Sequence, residues 1–148
     1  MTAHTLYQGA THYARAALVL CPDYGSIVIM AQIGAHAVEL GLKAFLLSKG
    51  MTEAEFTSRD GIGHDLERAW AECVRRGIQT PCPPWLSFIN MQFGAPFIYR
   101  YWREGIGWGL PGTPETFAQS VKALVLDIGR EIGEDHHGVL ASPGERKA

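Results

Sequence analysis

Residues 26–47 read SIVIMAQIGAHAVELGLKAFLL, a nearly continuous apolar stretch that is long enough for a helix of about six turns. Its polar residues recur about one helical turn apart and so fall on one stripe of that helix: Gln32, His36, Glu39 and Lys43. The same length suits a membrane span, but these polar and ionisable groups would be costly in lipid. We therefore predict a buried helix with one polar edge, in a protein that does not enter the membrane.

Helix boundaries are well marked on both sides of this stretch. A first helix is predicted over residues 6–20, with Leu6, Tyr13 and Ala17 on one face, and Pro22 interrupts the chain after it. Gly50 stands where a left-handed residue would end the second helix. These signals indicate two successive helices joined by a short turn.

Two glycines inside the long helix indicate close packing against a neighbour. Gly34 and Gly41 are two turns apart. Because glycine costs roughly 1 kcal/mol in a helix relative to alanine, close approach by another helix is expected to compensate. That helix belongs either to the same chain or to a second copy in a dimer.

Capping residues and helical periodicity continue along the chain. They predict a short helical turn at residues 52–58 and further helices at residues 64–76, 85–93 and 113–132. Residues 94–112 instead combine glycine, proline and aromatic residues without a helical period, which predicts an irregular loop folded onto the bundle. The polar tail at residues 134–148 is expected to be disordered. The sequence thus predicts an all-α bundle of four to five helices that forms a single domain over residues 1–133.

The composition favours a reduced, cytoplasmic protein. The chain has 148 residues, enough for one core, and its 13 basic and 15 acidic residues give a net charge of -2. No overall positive field attracts nucleic acid, so any RNA contact must be local. The 3 cysteines form no CxxC pair, which argues against a disulfide framework or a zinc site. The first residues do not look like a secretory signal.

Two segments, HAVELGLKAFLLSKG from residue 36 and GHDLERAWAECVRRGI from residue 63, resemble the HEPN superfamily. The similarity covers residues 27–78. It rests on an acidic residue in mid-helix (Glu39), a Leu-Lys-Ala step, the terminal Gly50 and a His-Asp-Leu turn that begins at His64. The resemblance implies a HEPN-like bundle in which the long helix passes to an antiparallel neighbour, and which forms a homodimer.

The resemblance also implies candidate catalytic residues. Many HEPN proteins are metal-independent ribonucleases that carry an arginine and, about four to six residues later, a histidine, often helped by an acid on the long helix. Histidine can move protons and arginine can stabilise phosphate charge. Arg130 and His136, with Glu39 as the acid, have this spacing and lie nearer the family position. Arg59 and His64 form a second candidate pair, although His64 is also explained as part of a helix N-terminus.

The aromatic loop supplies a candidate RNA-binding or ligand-binding surface, because cations and stacking groups are combined at Arg100, Tyr101, Trp102 and Arg103. The alternative is that the aromatic side chains pack the loop onto the core while the arginines face solvent. His136 and His137 are neighbours, but adjacent ligands without a rigid third partner make a poor metal site, so no metal is expected. No cofactor is expected either, since GIGWGLPG lacks the lysine and hydroxyl residue of a phosphate-binding loop.

The leading hypothesis is a dimeric HEPN-like protein that binds or cleaves RNA, as the effector of a toxin or defence system. A non-catalytic interaction or small-ligand-binding protein is the alternative, in which a dimer groove and the aromatic loop form the site. The resemblance also implies a nucleotidyltransferase or an antitoxin as a partner.

Overall fold

The computed structural model describes residues 1–102, 104–105, 107–134 and 137–140. Seven helices are found in this part of the chain, and no strand: α1 (Ala3–Leu20), α2 (Ile27–Ser48), α3 (Glu53–Thr57), α4 (Leu66–Arg75), α5 (Leu86–Phe93), α6 (Pro114–Ile132) and α7 (His137–Leu140). A short 3-10 turn at Tyr24–Ser26 separates α1 from α2. The prediction of an all-α protein is confirmed.

Local sequence signals explain where the helices begin and end. Thr52 caps α3 in a capping box with Glu55, as the sequence predicts, and Thr113 caps α6 directly before a first-turn proline. Gly50 follows α2 with a φ of 85°, a left-handed conformation that favours glycine. The bounds of α2 therefore agree with the sequence pattern.

Helices α1 and α2 form an antiparallel pair at the centre of the fold. Gly9 lies against Leu40 at the start of α1, and Tyr13 lies against His36 further along it. Leu6 and Ala17 are buried, but Tyr13, which was predicted on the same face, is 40% exposed and packs its ring on His36 at the helix edge. The buried face of α1 is instead completed by its small residues Ala10 and Ala14.

Helix α6 lies against α2 and α1 and closes the core. Gly34 faces the Phe117 ring and Gly41 faces Ile128, so α6 runs in the same direction as α2. The buried Tyr7 of α1 donates a hydrogen bond of 3.0 Å to the carbonyl oxygen of Val125 in α6. The helix that approaches the two glycines thus belongs to the same chain, which decides the alternative that the sequence left open.

Helix α4 runs along α2 in the same direction, rather than antiparallel to it as the HEPN resemblance implies. Phe56 in α3 lies near Lys43, and His64 then reaches back to Glu39. From there α4 advances, so that Arg76 at its end reaches the carbonyl oxygen of Lys49. The direction differs because α3 and the turn after it run back along α2 before α4 begins. Helix α4 therefore starts beside the middle of α2 and extends toward its C-terminal end.

The segment between α5 and α6 forms neither helix nor strand in its described residues. The buried Tyr99 hydroxyl donates to the carbonyl oxygen of Gly109 at 2.7 Å, and the Gly109 amide donates to Gln92 of α5 at 2.6 Å. In the range predicted to be a disordered tail, residues 137–140 form α7 and Leu140 is 2% exposed. Residues 141–148 lie outside the described residues.

Together with the turn before it, helix α2 forms a stretch over Tyr24–Ser48 that is long and apolar enough to span a membrane, by length and composition alone. Half of its apolar window is buried inside the fold, where α1, α4 and α6 pack against it. Core helices of soluble proteins have the same composition, and a core position accounts for the apolar residues of α2.

Candidate functional site

Glu39 is the centre of a polar cluster on α2. Its side chain is 3% exposed, yet both carboxylate oxygens have partners. Oε1 accepts hydrogen bonds from Lys43 Nζ at 2.5 Å and from His64 Nδ1 at 3.0 Å, and Oε2 accepts one from His36 Nδ1 at 3.3 Å. A buried carboxylate therefore holds two imidazoles and one ammonium group around it.

Helical spacing and one turn bring these groups together. His36 precedes Glu39 by three residues and Lys43 follows it by four, so all three lie on the same face of α2. His64 comes from the turn before α4, which Gly63 enters with a φ of 56° and which Asp65 closes by capping the helix at the Arg68 amide. The cluster thus joins the polar stripe of α2 to the His-Asp-Leu turn.

The pKa of Glu39 is lowered from 4.5 to about 2. Burial of the carboxyl works in the opposite direction, but the hydrogen bond from His36, the charge and hydrogen bond of Lys43 and the charge of His64 outweigh it. Glu39 is therefore ionised at neutral pH and can only accept hydrogen bonds. Both imidazoles must then carry a proton on Nδ1, which leaves Nε2 as the acceptor in each neutral ring.

His64 opens onto a cleft of about 490 Å³ between the turn before α4 and the end of α5. Ile62, Met91 and Phe97 contribute to its apolar wall, and Asp65 and Asn90 to its polar edge. Asn90 is fixed in place because its Oδ1 accepts from the Leu66 amide at 2.7 Å. The volume lies in the range of small-molecule sites in proteins, about 300–1,000 Å³.

An aromatic ring and one arginine lie against Phe97, which lines this cleft. The Phe97 ring lies 5.9 Å from the His64 ring and 6.4 Å from the Tyr101 ring, and the Arg100 guanidinium lies over it at 5.3 Å. Phe97 has a φ of 60°, a left-handed conformation that is rare outside glycine. Tyr101 and Trp102 are exposed. The predicted ligand-binding residues Arg100 and Tyr101 thus contact Phe97, whose ring lies against His64, while Arg103 lies outside the described residues.

The candidate catalytic residues are grouped differently from the two predicted pairs. Glu39 of the first set contacts His64 of the second. Arg130 is exposed on α6, where it pairs with Asp127, and His136 lies outside the described residues. Arg59 is exposed in the turn after α3, and no hydrogen bond joins it to His64 in the described part of the chain.

Sequence reasoning did not assign His36, Lys43, Asn90 or Phe97 to a site. The one-turn spacing of the polar stripe was a usable signal for His36 and Lys43, but it was interpreted only as the polar edge of a buried helix. Asn90 and Phe97 had no such signal, because their roles depend on how α5 and the following segment pack against the turn at His64.

A metal centre is not found among the described residues, where no group of three or more His, Cys, Asp and Glu side chains is arranged to hold an ion. Near Glu39 the Lys43 ammonium occupies the position at which a cation would neutralise the carboxylate. The chemistry open to these side chains is proton transfer by imidazole and charge pairing by Arg100.

No protein-family model matches this chain, and no curated protein or solved structure matches it significantly. The cluster around Glu39 and the cleft beside it are therefore the features of this chain that bear on its function.

Proposed function

We propose that the protein is a HEPN-like module that binds single-stranded RNA and cleaves it without a metal ion. The observation that carries this proposal is the hydrogen bond of 3.0 Å from His64 Nδ1 to the buried, ionised Glu39, at the edge of a cleft that Phe97 lines. Arg100 and Tyr101 lie against the Phe97 ring. Arg130 and His136 remain predictions of the family resemblance. In the proposed site, Glu39 keeps its assisting role and His64 is the proton acceptor.

His64 is suited to act as a general base. The carboxylate holds the proton on Nδ1 and orients the ring, so that the Nε2 lone pair is available in the neutral form. The side chain is 42% exposed, which lets a ribose 2′-OH approach it. An acid–histidine pair of this kind orients the base in many hydrolytic enzymes and stabilises the imidazolium that forms.

Three neighbouring side chains are suited to hold an RNA strand: Phe97, Arg100 and Tyr101. Phe97 and Tyr101 offer stacking surfaces for bases, and the Arg100 guanidinium can pair with a phosphate while it lies on the Phe97 ring. A local contact of this kind is compatible with a net charge of -2, which provides no general attraction for nucleic acid. We further propose a homodimer and a toxin or defence role on the family resemblance alone.

The decisive experiment is cleavage of a mixed single-stranded RNA by purified protein in the presence of a chelator. We expect His64→Ala to lower the cleavage rate by roughly 10²–10⁴-fold, as loss of a general base does, and Glu39→Gln to lower it as well. His12→Ala is the matched control, because His12 is an exposed histidine on α1 outside the cluster. Folding of each variant is checked by circular dichroism.

Two results would contradict this proposal. Cleavage that is retained in His64→Ala but lost in Arg130→Ala would move the site to α6. No cleavage by the wild type would favour the second candidate, a non-catalytic ligand-binding protein, which the apolar wall of Ile62, Met91 and Phe97 supports. In that case, binding of short single-stranded RNA and of free nucleosides, followed by fluorescence, would separate the ligand classes.

A further inference from the structure

His36 shares two features with His64: a hydrogen bond to Glu39 and a contact with the Phe93 ring. Each imidazole donates from Nδ1 to a different oxygen of Glu39, at 3.3 Å for His36 and 3.0 Å for His64. Both rings also lie against Phe93, with ring centroids 6.4 Å and 6.2 Å away. Because one carboxylate binds both, their Nδ1 atoms are at most about 9 Å apart. The two imidazoles are therefore neighbours around one carboxylate and one aromatic ring.

The surroundings of His36 leave its second nitrogen usable. The side chain is 29% exposed, and Nε2 has no hydrogen-bond partner among the described residues. The groups that face the ring are the Tyr13 edge from α1, Phe93 from α5 and Glu39 from its own helix. Lys43 neutralises Glu39, so a proton added to His36 gives the cluster a net positive charge. That charge favours the approach of a phosphate.

We propose that His36 is a second catalytic residue, which donates a proton to the leaving group in RNA cleavage. The inference rests on the proposed ribonuclease function. It identifies the residue that would protonate the leaving 5′-oxygen. His64 Nε2 takes the proton of the 2′-OH, and the 2′-oxygen bonds to phosphorus as the P–O5′ bond breaks. His36 gives its Nε2 proton to the departing 5′-oxygen. The products are a 2′,3′-cyclic phosphate and a 5′-hydroxyl, and one imidazole gains the proton that the other loses.

The test compares two RNA substrates that differ in the leaving atom. One carries the normal 5′-oxygen at the cleavage site, and the other carries sulfur there, which leaves without protonation. We expect the His36→Ala variant to cleave the oxygen substrate roughly 10²–10³-fold more slowly than the wild type. The same variant should cleave the sulfur substrate at nearly the wild-type rate. His64→Ala is slow on both.

His36→Asn is a second variant that keeps an N–H donor for Glu39, so a loss of activity shared by both variants is not a folding defect. Wild-type rates on the oxygen substrate in His36→Ala, or equal losses on the two substrates, would overturn the role of His36 and leave the proposed function standing. Absence of cleavage of both substrates by the wild type would overturn the proposed function, and this inference with it.

Discussion

Glu39 is the buried carboxylate at the centre of the candidate site. It lies on the polar stripe of an otherwise apolar helix, and the fold buries it while giving both of its oxygens hydrogen-bond donors. Removing one partner of a buried ion pair typically costs about 3–5 kcal/mol, because the remaining charge is left without compensation. The cluster is therefore expected to influence stability as well as any chemistry.

We predict that Glu39 makes the stability of the fold decrease in acid. Its folded pKa of about 2 is below the ordinary value of 4.5, so its contribution is complete above about pH 5 and is lost as the pH falls toward 2. The full contribution is about 3 kcal/mol, since one pKa unit corresponds to about 1.4 kcal/mol. Urea unfolding of the wild type and of Glu39→Gln between about pH 7 and pH 3 measures the larger part of this loss.

Glu39→Gln should be less stable than the wild type at neutral pH and should lose less stability on acidification. The matched control is Glu104→Gln, since Glu104 is an exposed acid outside the cluster and its replacement should leave the acid dependence unchanged. An acid dependence that is the same in Glu39→Gln and in the wild type would contradict the prediction.

The helices show which parts of the fold the sequence could predict. The apolar positions of α4 and α6 follow helical spacing, and Leu66, Trp70, Phe117 and Ile128 are buried as expected. Spacing within one helix does not specify which helix it meets or in which direction. The direction of α4 and the contact of His64 with Glu39 both depend on the return path through α3, and no local pattern encodes that path.

At the level of helix packing, we predict that Gly34→Ala destabilises the protein by about 1–3 kcal/mol. A Cβ atom at Gly34 would lie 2.7 Å from the Phe117 ring, which is fully buried and cannot move aside. This cost exceeds the roughly 1 kcal/mol that alanine gains over glycine in a helix. Thermal or urea unfolding measures the change in the free energy of unfolding.

Gly9→Ala is the matched control for this prediction. A Cβ atom there would meet only the methyl end of the partly exposed Leu40 side chain, at 3.1 Å, and that methyl group can shift. We therefore expect Gly9→Ala to cost less than Gly34→Ala. Equal stability of the two variants would show that the contact between α2 and α6 is looser than described.

The molecule as a whole is predicted to unfold in one step. Helices α1, α2 and α6 share a core, and the segment after α5 is tied to it through Tyr99 and Gly109. Circular dichroism reports the helices, while tryptophan fluorescence also reports the irregular segment through Trp108. The two urea-unfolding curves should coincide. Separate midpoints would show that the irregular segment opens independently of the helices.

The hydrogen bond from Tyr7 to Val125 joins positions 118 residues apart in the chain. A ribosome produces the α1–α2 hairpin long before it produces α6, so the apolar strip that α6 later covers is exposed throughout most of synthesis. Contacts between such distant positions form slowly, because the loop that they close is long. The nascent hairpin is therefore expected to need shielding from other chains until its last long helix emerges and completes the core.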